Sequence, residues 1–286
     1  MATVEPGPEE AITKEEIEGT LPAPPSANSG VSQGTKRNAF SELMSPKPKK
    51  PDKHNEPLTL ASQRSPLTKS FKLRDGLGAY TNDPASFPSS RVIYYNEHFV
   101  AINDLYPKST VHALLLPRSP HSRLHPFDAF EDAEFLASVQ AETAKLKHLV
   151  AKELQRRYGW FSAQDKRREQ VLNGEVDAET LPKGRDWEKE LLVGIHAHPS
   201  MNDLHVHVLS RDMISDCMRH RKHYQSFNTE FLIDVADFPL AADDPRRHLG
   251  HFAEDMKCWR CGRNFENKFK KLKDHLDEEF EEWKRE

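Results

Sequence analysis

The sequence predicts an α+β fold: an antiparallel sheet with flanking helices, a small metal-bearing module at the C-terminal end, and a disordered tail at the N-terminal end. Three observations predict it. Short β-rich segments and one long stretch of helical periodicity share the middle of the 286-residue chain, and a Cys-x-x-Cys pair stands near its end. Residues 1–66 hold ten of the 20 prolines and, of the aromatic residues, Phe40 alone.

A stretch so poor in large apolar residues cannot bury enough area to offset the entropy of ordering it, so the folded material is expected to begin near residue 67. Within this tail, Lys36-Arg37 and Lys47-Pro48-Lys49-Lys50 have the spacing of a bipartite nuclear localisation signal. A location in the nucleus is expected. No apolar run reaches the length of a membrane span, and the acidic start is unlike a secretory signal. Three cysteines cannot build a disulfide framework, so a reducing compartment is expected, with Cys217 left as an odd thiol.

From Arg91 on, residues 92–95, 99–102 and 111–116 read as three short strands of an antiparallel meander. Phe130, Phe135, Leu136, Val139, Leu146 and Leu149 then recur at three- and four-residue steps up to Leu154, which predicts one long helix. Residues 155–187 are polar and read as an irregular surface insertion. Two further strands are expected over 191–197 and 204–209, and a mixed segment follows Tyr224.

The most informative run extends from His196 to Leu209. Alternation along a strand turns Leu204, Val206 and Val208 to one face and Asp203, His205 and His207 to the other. One exposed histidine on a sheet is usually a solvated one. Here His196, Ser200, Asp203, His205 and His207 crowd into twelve residues. Two chemistries suit them: paired imidazoles as metal ligands, or a histidine nitrogen as a nucleophile toward phosphorus.

Cys258 and Cys261, then His275 and Glu279, have the spacing of a zinc finger with glutamate in the last position. His275 and Glu279 fall on one helical face beside an apolar stripe of Phe265, Phe269, Leu272, Leu276 and Phe280. His251 and Glu278 are the alternative fourth ligands. Residues 246–273 carry nine Lys/Arg against three acids, whereas 274–286 carry seven acids against two bases. Arg260, Arg263, Lys270 and Lys271 are therefore expected to meet nucleic-acid phosphates, with the acidic end facing away or packed on the body. Trp259 serves either as a stacking residue or as core.

The run from Asp203 to Leu209 resembles the histidine-triad (HIT) motif, His-φ-His-φ-His-φ-φ, of nucleotide hydrolases and transferases, with aspartate at the first position. Residues 103–117 are similar to that family's nucleotide-pocket segment. With residues 196–201, residues 222–231 and the finger added, the chain from about 67 to 286 resembles the aprataxin family in its fungal form. The resemblance implies a HIT-like catalytic domain over 67–244 and a Cys-Cys-His-Glu (C2HE) finger over 245–286 that holds one structural zinc ion, with no catalytic metal.

It also implies roles. His205 would take AMP covalently, His207 and Ser200 would donate to phosphoryl oxygens, and His196 would act as general acid or base. Asp104 would hold the ribose, Lys108 and His112 the nucleotide, and Lys222 the phosphate side. Phe71, in the basic segment 70–74, would wedge against a DNA end. The implied activity is that of a DNA 5′-adenylate hydrolase in single-strand break repair, acting as a monomer on 5′-adenylated ends or nicks and releasing AMP. The alternatives are a general HIT hydrolase of small adenylyl phosphoramidates or dinucleotides, and a non-catalytic zinc-finger nucleic-acid-binding protein. At the first triad position, the Asp203 carboxylate is expected to accept from the His205 ring, fixing its tautomer while raising its pKa. The finger reads as a separable module whose loss should spare turnover of a small substrate.

Overall fold

Three of the expected strands pair as a meander, β1 (Val92–Tyr95), β2 (Phe99–Asn103) and β3 (His112–Pro117), with antiparallel registers throughout. The first turn closes because the Asn96 side-chain oxygen accepts from the backbone N–H groups of His98 and Phe99, both at 2.8 Å. The structure is a computed structural model and describes residues 74–249, 252 and 255–286. The tail 1–66 with its basic clusters, Phe71 and His251 lie outside these residues.

The remaining strands are β4 (Leu191–His196), β5 (Val206–Ser210) and β6 (Leu232–Ile233), and the sheet order is β1-β2-β3-β5-β4-β6. Pairing of β3 with β5 sets His112 opposite Leu209 and Leu114 opposite His207. Pairing of β4 with β5 sets Gly194 opposite His207, so alternation carries His196 to the same face. A side chain at Gly194 would bring a Cβ within 2.5 Å of the Ile233 carbonyl oxygen. Glycine is what lets β6 approach this edge.

The helices are α1 (Gly78–Asn82), α2 (Pro126–Ala129), α3 (Ala133–Tyr158), α4 (Ala163–Leu172), α5 (Arg221–Asn228) and α6 (Phe269–Trp283). Asp132 caps α3 by accepting from the N–H groups of Glu134 and Phe135. The buried stripe of α3 includes Phe135, Leu136, Val139, Leu146, Val150 and Leu154, and covers the sheet face that carries Val206 and Val208. Leu149 departs from the expected stripe. It is 44% exposed, and its neighbour Val150 takes the core position.

The segment 155–187 is more ordered than its polarity suggests. Helix α3 continues to Tyr158, and Ser162 caps α4 through the N–H of Asp165. The C-terminal end of the segment is held by Trp187, which is buried, and by Arg185, whose guanidinium lies 4.5 Å from the Trp187 ring and 4.9 Å from that of Trp283. No local periodicity predicts these contacts, because their partners come from the far end of the chain. Among the described residues, no helix is long and apolar enough to cross a membrane.

The other face of the sheet carries two apolar clusters. Leu77, Tyr80, Val92, Val100, Ile102, Leu114 and Leu116 form one. The second joins Leu209, Met213, Met218, Tyr224 and Phe227 to Met256, Cys258, Phe265, Leu272 and Leu276. The finger and the sheet thus share one core, which runs across residue 245. The acidic end packs on the body: Trp283 is buried and its Nε1 donates to Glu190 at 2.6 Å.

Candidate active site and metal centre

His112, His196 and His207 come together because three different strands present the same face. The His112 and His207 ring centroids are 5.2 Å apart, those of His196 and His207 4.4 Å, and those of His205 and His207 4.9 Å. All four rings are buried, at 3–4% exposure. Burial disfavours their charged forms. It lowers His112 to about 4, lowers His205, and holds His196 and His207 well below the usual 6.5.

The hydrogen bonds assign tautomers along this chain. The Lys108 backbone N–H donates to His112 Nδ1 at 3.1 Å, which puts the proton on Nε2. His112 Nε2 then donates to His207 Nδ1 at 3.0 Å, and His207 must carry its own proton on Nε2. That atom is buried with no partner, and so are Ser200 Oγ and His196 Nε2. Asp104 Oδ2 stands 3.5 Å from His112 Nε2. Lys108 is itself buried, with Nζ 3.4 Å from the Cys217 carbonyl.

His205 differs from the expectation in two respects. Its Nδ1 donates at 2.8 Å to the main-chain carbonyl of Asp203, not to the carboxylate. Strand β5 begins at Val206, so Asp203 lies in the bend before it, free of the alternation that would have aimed its side chain alongside His205. The carboxylate turns instead to Arg123, 3.2 Å away, near the start of α1. Nor is the His205 pKa raised: desolvation outweighs the Asp203 carbonyl and Asp104, and lowers it. His205 is therefore neutral, with its Nε2 lone pair free. Because a backbone atom does the orienting, Asp203→Asn is expected to keep turnover within about threefold of the unmodified protein. The ratio of kcat/KM values on one nucleotide substrate measures this.

Asp203 also belongs to a polar lock. Arg123 reaches Asp75 at 2.6 Å, Asn202 Nδ2 donates to Asp75 at 3.0 Å, and the Asn202 N–H donates to the Arg74 carbonyl at 3.0 Å. The segment leading into α1 is thus fastened to the loop that carries Ser200.

Neutral buried histidines also make stability depend on pH. Above 6.5 both the folded and unfolded forms of each ring are neutral and contribute no slope. Below that value the unfolded chain takes up protons that the native rings refuse, so stability falls as pH falls. Each such group adds a slope approaching ~1.4 kcal/mol per pH unit, until its folded pKa is passed. Denaturant unfolding from neutral pH down to about 5 is expected to show a decline that replacing His207 by Gln makes shallower.

The finger places Cys258, Cys261, His275 and Glu279 with ligand atoms all within 4.8 Å of one another. His275 Nε2 is 3.1 Å from Cys261 Sγ and 3.2 Å from Glu279 Oε1. The turn between the cysteines and β-like residue Asn264 needs Gly262, which sits at φ +74°. Two thiols, an imidazole and a carboxylate within that span suit zinc. Glu278 points elsewhere: its side chain is 82% exposed and 3.8 Å from the other ring nitrogen. Asp104, His112 and His207 form a second group of potential ligand atoms within 4.8 Å, though here the two imidazoles face each other through a hydrogen bond.

Of the basic residues, Arg263, Lys270 and Lys271 are exposed. Arg260 is engaged by ion pairs with Glu279 and Glu286, so it braces a carboxylate of the candidate metal group. Lys222 stands partly buried in the first turn of α5. Trp259 packs between the two largest apolar clusters, which favours core over stacking.

The sequence reading missed Phe227 and Tyr224. The Phe227 ring meets His207 and His112 edge-on at 5.0 and 5.5 Å, and His196 at 4.7 Å, so it walls the histidine cluster. Their three-residue spacing in 221–228 was the available signal, since it puts both on one face of a helix turn.

Residues 88–214 match the model of the HIT domain, and 228–282 that of the C2HE / C2H2 / C2HC zinc-binding finger. The chain is similar to an aprataxin-like protein of Schizosaccharomyces pombe, 35% identical over 73% of this chain and 82% of that one. It is also similar to an aprataxin-like protein of Saccharomyces cerevisiae, 33% identical over 72% of this chain and 95% of that one. Among solved structures it resembles Hnt3 in complex with DNA and guanosine, with a TM-score of 0.56 and 31% identity over 73% of this chain and 96% of that chain. The S. pombe aprataxin ortholog Hnt3 gives a TM-score of 0.54 at 30% identity, over 72% of this chain and 92% of that chain.

Proposed function

We propose that this chain, which belongs to the aprataxin family of histidine-triad proteins, is a DNA 5′-adenylate hydrolase that removes AMP from abortive ligation ends through a covalent histidine intermediate. The observation that carries the reading is the buried histidine cluster around a neutral His205, in which His196 Nε2 and His207 Nε2 have no partner, with Ser200 Oγ of the preceding loop buried and likewise unpartnered. Unpaired buried polar groups are costly, and a phosphoryl group in this pocket would satisfy them. The Hnt3 structures with DNA and guanosine support a nucleic-acid substrate.

In the first step the His205 Nε2 lone pair attacks the adenylate phosphorus. A P–N bond forms, and the P–O bond to the DNA 5′-phosphate breaks with its electron pair. Phosphate is a weakly basic leaving group, so proton donation from His196 is of secondary importance. His207 Nε2–H and Ser200 Oγ–H donate to the non-bridging oxygens as their charge redistributes. In the second step water, relieved of a proton by His196, attacks phosphorus from the side the DNA left. The P–N bond breaks, AMP departs and His205 regains its lone pair. Asp104 holds the ribose, Lys108 and His112 the nucleotide, and Lys222 the phosphate side.

The Cys258, Cys261, His275 and Glu279 set holds a structural zinc ion, which when bound cross-links the finger turn to α6. Exposed Arg263, Lys270 and Lys271 meet DNA phosphates, with Phe71 at the end of the duplex. The division proposed is a tail over 1–66, the HIT body over 67–244 and the finger over 245–286, acting as a monomer in the nucleus.

The deciding experiment compares a 5′-adenylated nicked duplex with an adenosine phosphoramidate, with and without a chelator that spares the finger. A larger kcat/KM on the duplex supports the reading. Equal or smaller values favour a small-substrate hydrolase, and turnover that needs an added divalent ion at His207 removes the covalent route.

A further inference from the structure

The finger turn and the histidine pocket are joined by one side chain that neither site requires for its own chemistry. Tyr224 is buried at 1% exposure, and its hydroxyl donates to the Lys257 carbonyl at 2.8 Å and accepts from the Trp259 N–H at 2.9 Å. These two bonds bracket Cys258, the residue between them. One helical turn further along α5, Phe227 is 4% exposed and touches three of the four pocket histidines. The same apolar cluster contains Leu209 of β5, two residues beyond His207, together with Cys258 and Leu276.

We propose that Tyr224 is a positioning residue that couples the metal loop to the nucleotide pocket: by fixing α5 to the backbone on both sides of Cys258, it holds Phe227 against His112, His196 and His207. Metal occupancy then governs the affinity for even a small adenylate that never reaches the basic surface of the finger. The inference rests on the function proposed above for its substrate, but the coupling itself is a property of the fold. Three features support it. A phenol fully occupied as both donor and acceptor cannot rotate freely. The step from Tyr224 to Phe227 is a single turn of hydrogen-bonded helix, which transmits displacement stiffly. The wall that Phe227 supplies keeps the cluster dry, where His207 also faces His205, Lys108 and, through His112, Asp104.

The test reads both ends of the link in the zinc-loaded full chain. Coupling between two binding sites is reciprocal in their equilibrium affinities, so saturating AMP is expected to tighten zinc binding, read by equilibrium competition with a chromogenic chelator, by about fivefold or more. Tyr224→Phe keeps the ring and deletes both hydrogen bonds. It is expected to reduce that factor below about twofold, and to move the ring titrations of His196 and His207, followed by NMR, up toward 6.5 as water enters. Phe227→Leu leaves the Tyr224 bonds in place and removes the wall, so it should bind zinc normally yet lose the AMP effect. This second variant carries the test if Tyr224→Phe does not fold. Zinc affinity indifferent to bound AMP, or histidine titrations that stay in place in Tyr224→Phe, overturns the proposal. The titrations need no nucleotide, so the coupling can stand where the duplex assay rejects deadenylation, and can fall where that assay supports it.

Discussion

Replacing His205 by alanine is expected to lower kcat/KM on a 5′-adenylated nicked duplex by on the order of 10⁴-fold or more, with DNA binding little changed. The size of the effect follows from the site. The other donors around the pocket stabilise charge, but none can take over the attack. His207 has its Nδ1 committed to His112, and the same bond forces a proton onto Nε2, leaving no lone pair. His196 has no partner at Nε2 to fix its tautomer. His205 alone combines a held Nδ1–H with a free Nε2. The residual activity should come from positioning and from Ser200 and His207. A quench of the unmodified protein during turnover should leave AMP attached at position 205, stable to mild alkali and labile to acid. A quench that yields no labelled protein while duplex is being consumed contradicts the covalent route.

Replacing Cys258 by alanine is expected to have the second largest effect, and a broader one than the sequence alone suggests. Zinc in a finger of this kind contributes folding free energy outright, on the order of 10 kcal/mol before the cost of ordering the ligands is subtracted. With one thiol lost, His275 and Glu279 no longer tie α6 to the turn. An isolated finger would then unfold and leave the body intact. Here Met256, Cys258, Phe265, Leu272 and Leu276 are packed with Leu209, Tyr224 and Phe227, so the loss reaches the floor of the pocket. Trp283, at the end of α6, is fully buried against the other face. Cys258→Ala should therefore unfold at markedly lower denaturant concentration, bind duplex poorly and lose most turnover of a small phosphoramidate as well. Duplex binding lost with small-substrate turnover preserved would show that the body folds without its finger. Both measurements can be made on one preparation.

Much of this was legible before any coordinates. Alternation exposed His205 and His207 as members of a site because local period-two order fixes which face a side chain takes, wherever the strand extends. The long helix up to Leu154 followed from apolar spacing, and the candidate metal group of the finger from Cys-x-x-Cys and the i, i+4 pair. Where the reading went astray, local order had ended. Asp203 sits one bend before β5, so its carboxylate answered to Arg123, which Asp75 also holds, rather than to the pattern of the strand. Leu149 and Val150 are neighbours that only the sheet could sort. The order in 155–187 depends on Trp283, nearly a hundred residues away in the chain.

The sequence by itself determined the chemistry available: which residues can attack phosphorus, which can hold zinc and which segments must be strand or helix. It did so because those properties depend on side-chain type and on spacings of two to four residues. Only the tertiary structure decided which atom orients His205, which nitrogens remain unpartnered, and that the finger shares a core with the pocket. Those outcomes depend on desolvation and on contacts between segments far apart along the chain, and no local spacing encodes either.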